Sequence, residues 1–167
     1  MKKITILIFG IILIMILLSL TGCDYEMGFS TKGKVAFSKE FYELNEEAVI
    51  KELSTTVINV EKSNGSGIDK PGAGKEFVIV TLQLKNIGPK SINYNAWNYR
   101  LQDSSGDTVR ISYTNLDKDT LLGSGDIAPN EEKIGTIVFE APKGDENLVL
   151  IYEENLWTNS NLKFNLQ

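Results

Sequence analysis

The chain has 167 residues, 17 of them basic and 22 acidic, with no histidine and one cysteine, for a formal net charge of −5. An acidic balance disfavours nucleic acid as a partner and offers no polybasic patch to anionic lipid. The lack of histidine removes the commonest general base and metal ligand, and a single thiol permits no disulfide within the chain.

The N-terminus reads MKKITILIFGIILIMILLSLTG over residues 1–22. Lys2 and Lys3 make a positive start, Ile4 to Leu18 is an apolar run, and small or polar residues precede Cys23, the layout of a secretory signal peptide. The competing reading is a retained signal anchor. A spanning helix wants about 20 apolar residues, whereas this run is shorter and carries Thr5 and Gly10. The tetrad Leu20-Thr21-Gly22-Cys23 resembles the bacterial lipobox. That resemblance implies that the Cys23 thiol receives diacylglycerol and that a dedicated peptidase, recognising Leu20, Thr21 and Gly22, cuts before it. The membrane is then a partner through a diacylglyceryl anchor at Cys23, on the extracytoplasmic face of the cell membrane. One acyl chain binds marginally, whereas two, at about 0.8 kcal/mol per buried methylene, hold stably.

Cleavage there leaves 145 residues, 15 basic against 22 acidic, a net charge of −7. This length suffices for one domain with its own core. Residues 24–36 mix Gly, Ser, Thr and charges without a period, and residues 23–45 are expected to hold the lipidated cysteine and a tether. Phe37, Phe41, Leu44 and Ala48 fall at helical spacing, but extended structure is expected from about Glu46.

From there the chain reads as β. STTVINVEKS (54–63) is β-branched and runs into the turn NGSG. GKEFVIVTLQLKNIG (74–88) alternates, with Val78, Val80, Leu82 and Leu84 expected in the core and the opposite face becoming polar toward its end. Tyr99 to Gln102, the turn DSSGD and Thr108 to Tyr113 form a hairpin. Lys133 to Glu140, 147–154 and 162–167 complete about eight short strands. The pattern predicts an all-β antiparallel β-sandwich over 46–167, with a small barrel or an open sheet packed on 37–50 as alternatives.

Four phrases from about residue 42 onward, GKEFVIVTLQLKN, YRLQDSSGDTVR, LLGSGDIAPNEEKIGTIVFEAP and LVLIYEENLW, resemble in order and spacing domain-of-unknown-function family 4352 of bacterial lipoproteins. The resemblance implies an immunoglobulin-like β-sandwich and supplies no catalytic residues and no cofactor. YELNEEAVIKEL departs from it, because the family tends to have a glycine turn near Asn45.

The chemical motifs give way to structural readings. DSSGD and LDKD place carboxylates in loops, but a calcium loop needs six or more oxygens, and Asp and Gly are ordinary turn residues. GSGIDKPGAGKEF contains Gly74-Lys75, yet a phosphate loop needs a preceding strand, a hydroxyl residue after the lysine and a helix next. Glu131-Glu132 and Glu153-Glu154 read as surface charge rather than a hydrolytic pair. No catalytic or metal residue is assigned. Among the aromatic residues Tyr94, Trp97, Tyr99, Tyr113, Tyr152 and Trp157, burial is the ordinary expectation. Trp97, Tyr113, Leu116, Asp117 and Trp157 form the candidate contact surface, beside Asn-rich phrases and in the long loop 114–129. The expected role is a lipid-anchored, non-catalytic binding module facing an envelope protein or extracellular ligand. A carrier of small ligands and a glycan-acting enzyme are the alternatives.

Overall fold

Alternating side chains sort the chain into two antiparallel sheets. The computed structural model describes residues 39–116, 118–154 and 161–167. The leader, the lipobox with Cys23, most of the expected tether, Asp117 and Trp157 lie outside them. Among the described residues the strands are, in chain order, β1 (Glu47–Ile50), β2 (Leu53–Ser63), β3 (Lys75–Asn86), β4 (Ile92–Asn95), β5 (Tyr99–Gln102), β6 (Thr108–Val109), β7 (Ser124–Ile127), β8 (Glu132–Pro142), β9 (Val149–Glu153) and β10 (Asn161–Asn165). One sheet runs β1-β2-β3-β8 and the other β10-β9-β5-β6, while β4 and β7 form a separate ladder. Every strand pairing is antiparallel. No helix of the described residues is long and apolar enough to cross a membrane.

The alternation of β3 decides the sandwich. Val78, Val80, Leu82 and Leu84 are fully buried on one face, where the register sets Val78 opposite Phe139 and Val80 opposite Ile137 of β8. They share a core with Tyr99 and Leu101 of β5, Leu150 and Tyr152 of β9, and Leu162 and Phe164 of β10. On the opposite face the start of β3 is also covered: Phe77, Ile79 and Val138 form a second small core, with Leu116 packed against it. Only from Thr81 onward does that face open to solvent.

The folded part reaches back further than the boundary expected at residue 46. Tyr42 N–H donates to Lys163 O and Asn165 N–H to Tyr42 O, both at 2.8 Å, extending the edge of β10. The Tyr42 ring is buried with its centroid 5.7 Å from that of Phe164. Between Tyr42 and β1, Asn45 takes φ 63°. Asparagine is the side chain that best tolerates the left-handed region after glycine.

Asn86, at the end of β3, is fully buried and ties three segments together. Its Nδ2 donates to Lys90 O (2.7 Å) and Ile127 O (2.8 Å), and its Oδ1 accepts from Gly88 N–H (2.9 Å). Its main chain bonds Glu131 and Asn130. Thus the end of β3, the β3–β4 turn and the segment entering β8 meet at one side chain.

Candidate functional site

Where β8 leaves the sandwich its outer edge would expose unpaired main chain. The long connection after β6 covers it twice. Ser112 N–H donates to Val138 O (2.7 Å), while Leu122 N–H donates to Thr136 O and Thr136 N–H to Thr120 O (both 2.8 Å). The second contact is very close, because Gly135 faces Leu122: a Cβ at Gly135 would stand 2.6 Å from the Leu122 Cα. Between these two crossings opens a cleft of about 210 Å³, with Trp97, Tyr113, Ile111 and Leu121 on its walls and Thr136, Ile137 and Val138 at its base.

Trp97 is set by a single-turn 3₁₀ helix, Ala96–Asn98. Asn95 caps it, its Oδ1 accepting from Trp97 N–H at 3.0 Å, and Ala96 N–H donates to Gly123 O at 2.8 Å. Ala96 is thereby buried and the indole turned outward, 45% exposed. The Tyr113 ring, 88% exposed, stands against it with centroids 5.5 Å apart and planes tilted by 58°. The pair offers a tilted aromatic contact above an apolar base.

The glycine-rich connection between β2 and β3 is bonded to the loop that follows Tyr113. Gly65, Gly67 and Gly74 have positive φ, and the Asp69 carboxylate accepts from the Thr114 hydroxyl and from Asn115 N–H (2.6 Å). These donors hold the Asp69 carboxyl below its ordinary value, the Thr114 hydroxyl being the largest influence. Ile68, beside Asp69, is fully exposed.

Of the five contact residues expected from sequence, Trp97 and Tyr113 meet at the cleft. Leu116 instead turns onto Phe77, Ile79 and Val138, so its place is in the second core. Asp117 and Trp157 lie outside the described residues. Tyr94, Tyr99 and Tyr152 are core residues. Ile111 and Leu121 also line the cleft, and no local period or motif in the sequence singles them out.

The carboxylates serve structure. Asp103 Oδ1 accepts from Ser105 Oγ (2.6 Å) and from Asp107 N–H (3.0 Å), an Asx-type turn. Glu132 pairs with Lys85 (3.0 Å), Glu153 with Arg100 (3.0 Å) and Glu154 with Lys51 (2.6 Å). Among the described residues no three acidic or thiol side chains converge as a metal site would require.

Two packed antiparallel sheets carrying an aromatic cleft at one edge define a β-sandwich domain. The chain belongs to the family described as domain of unknown function (DUF4352), whose model matches residues 42–162. It is similar to YjhA, an uncharacterized lipoprotein of Bacillus subtilis (strain 168), with 28% identity over 79 residues, 47% of this chain. The match spans only 37% of that lipoprotein's length. The crystal structure of YjhA superposes with a TM-score of 0.60 at 19% identity, covering 76% of this chain and all of that one. The secreted protein MPT63 of Mycobacterium tuberculosis superposes with a TM-score of 0.57 at 15% identity, covering 78% of this chain and 98% of its own. At such identities the likeness is one of fold.

Proposed function

We propose that the protein is a lipid-anchored, extracytoplasmic, non-catalytic binding module, held to the cell membrane through Cys23 and making contact through the Trp97–Tyr113 cleft. The single observation that carries the reading is that aromatic pair: two large rings, placed by a capped 3₁₀ turn and a strand-edge crossing, left open to solvent above an apolar base. Tyr and Trp at exposed, rigidly supported positions are the usual anchors of recognition. The likeness to a lipoprotein of Bacillus subtilis supports the anchoring, together with the Leu20-Thr21-Gly22-Cys23 tetrad. At about 210 Å³ this cleft is below the roughly 300–1,000 Å³ of small-ligand sites, which favours surface contact there over enclosure of a ligand.

The test is photo-crosslinking in cells from a benzoylphenylalanine at position 113 of the full chain, with Cys23→Ser as the unanchored control. The expected result is a discrete adduct, protein or lipid, that the control loses. Absence of any adduct from position 113, with adducts forming from an exposed position on β1 instead, overturns the assignment of the cleft.

A further inference from the structure

We propose that the apolar rim of the cleft, Ile68 with Tyr113, Trp97 and Leu121, lies against the surface of the bilayer that anchors the chain. The inference rests on anchoring at Cys23 and names the partner of the same cleft.

Seven large apolar side chains are exposed among the described residues; three of them, Trp97, Tyr113 and Leu121, line the cleft, and a fourth, Ile68, is next to Asp69, which is bonded to Thr114 and Asn115. Ile68 is 101% exposed. The bonds from Thr114 and Asn115 to Asp69 bring its loop beside Tyr113, Tyr113 meets Trp97, and Leu121 lines the same cleft. Trp and Tyr rings with a polar tip favour the headgroup level, and a bare aliphatic tip such as Ile68 reaches below it.

Charge selects the same face. The mature chain carries −7, which an anionic leaflet repels. Among the described residues of 68–70 and 110–121, Lys70, Arg110 and Lys118 stand against Asp69 and Asp119, a net charge of +1. An acidic domain can therefore bring this side to a membrane without net repulsion. Lys70, Arg110 and Lys118 are exposed, and none is in an ion pair among the described residues.

Tether length makes a weak contact sufficient. Cys23 to Ser38 is 16 residues, a reach of at most about 58 Å at 3.3–3.6 Å each. Confinement at that distance turns lipid contact into an intramolecular event at an effective concentration on the order of millimolar. Four apolar side chains that would not hold a free domain on a membrane then suffice to orient an anchored one.

The test couples the mature chain through Cys23, its sole thiol, to a maleimide lipid in phosphatidylcholine–phosphatidylglycerol vesicles, with and without brominated acyl chains. Trp97 emission is obtained by subtracting the Trp97→Phe variant. The expected result is at least a twofold quenching of Trp97 by brominated lipid, reduced to near none by Ile68→Asp and by Tyr113→Ser, neither of which disturbs a buried group. Unquenched Trp97 in the tethered, folded wild-type chain overturns the proposal. So does a second copy or another protein found crosslinked at position 113 in cells. Coupling to vesicles bypasses cellular lipidation, so failure of anchoring is read separately, as an unmodified Cys23 in protein recovered from membranes.

Discussion

The Asp69 carboxylate accepts the Thr114 hydroxyl across 45 residues of sequence, joining the glycine-rich β2–β3 connection to the loop that covers the edge of β8. Asn115 N–H adds a second bond at 2.6 Å. One carboxylate thus holds a rim of the cleft, and its ionisation sets how firmly.

Acid should loosen that rim. The donors depress the Asp69 carboxyl in the folded chain, so its contribution is complete above the unfolded carboxylate value of about 3.9 and is lost as pH falls through the lower folded value. Asp103 and Asp145 shift in the same direction, through Ser105 and through the N–H groups of Ser104 and Asn147, so their contributions are also lost as pH falls. Comparison with Asp69→Asn isolates the latch. Protection factors of the Asn115 and Leu116 amides are expected to fall below about pH 4 in the wild type and to be low and flat in the variant. Matching profiles would show that the loop does not depend on this bond.

Asn86 should be among the costliest polar side chains to remove. It is fully buried, and Asn86→Ala removes the side-chain partner of the Gly88 N–H and of the Lys90 carbonyl and leaves the Ile127 carbonyl with the longer bond from the Ser91 hydroxyl (3.3 Å). The expected loss is about 3 kcal/mol, read from urea unfolding. Asn86→Asp should cost more, because a carboxylate oxygen then faces two carbonyl oxygens. An Asp variant as stable as wild type would overturn the account.

Gly135 should resist any side chain. Its virtual Cβ meets main chain, the Leu122 Cα at 2.6 Å, so relief requires moving the whole crossing. Gly135→Ala is expected to cost about 1–3 kcal/mol and to raise exchange at the Leu122 amide. Unchanged exchange would place the strain elsewhere.

The sequence made most strands legible, the four-residue β5 among them, but not β4 and β7. β2, β3, β8 and β9 are rich in branched and aromatic residues, and β3 alternates in burial from Thr81 onward. β4 reads INYN and β7 reads SGDI, in which Asn, Gly and Asp are poor strand formers. They form because Tyr94 packs over Gly125, the ring 3.2 Å from where a Cβ would stand. That determinant is tertiary and leaves no periodicity. The site divides in the same way. Trp97 and Tyr113 were readable as aromatics beside loops, whereas the fate of Leu116 depends on Phe77 and Ile79 having an apolar outer face to cover. The Asp69–Thr114 bond belongs to no local pattern.

Tyr99 supplies a test of the core itself. It is fully buried with its ring centroid 5.0 Å from that of Tyr152, and its hydroxyl faces that of Thr55 from the other sheet. Among the described residues neither hydroxyl has a partner within hydrogen-bond geometry. Burial pushes the Tyr99 phenol well above its ordinary value, more than Thr55 lowers it. The folded chain therefore keeps a proton that the unfolded chain releases above about pH 10, and stability falls as pH rises past that value. Tyr99→Phe removes an unsatisfied polar group without changing the ring, so it should leave stability at neutral pH within about 1 kcal/mol of wild type or raise it. It should also flatten the alkaline loss. Urea unfolding at pH 7 and pH 10.5 measures both, and a Phe variant markedly weaker at neutral pH would mean that the hydroxyl is satisfied in solution, by buried water.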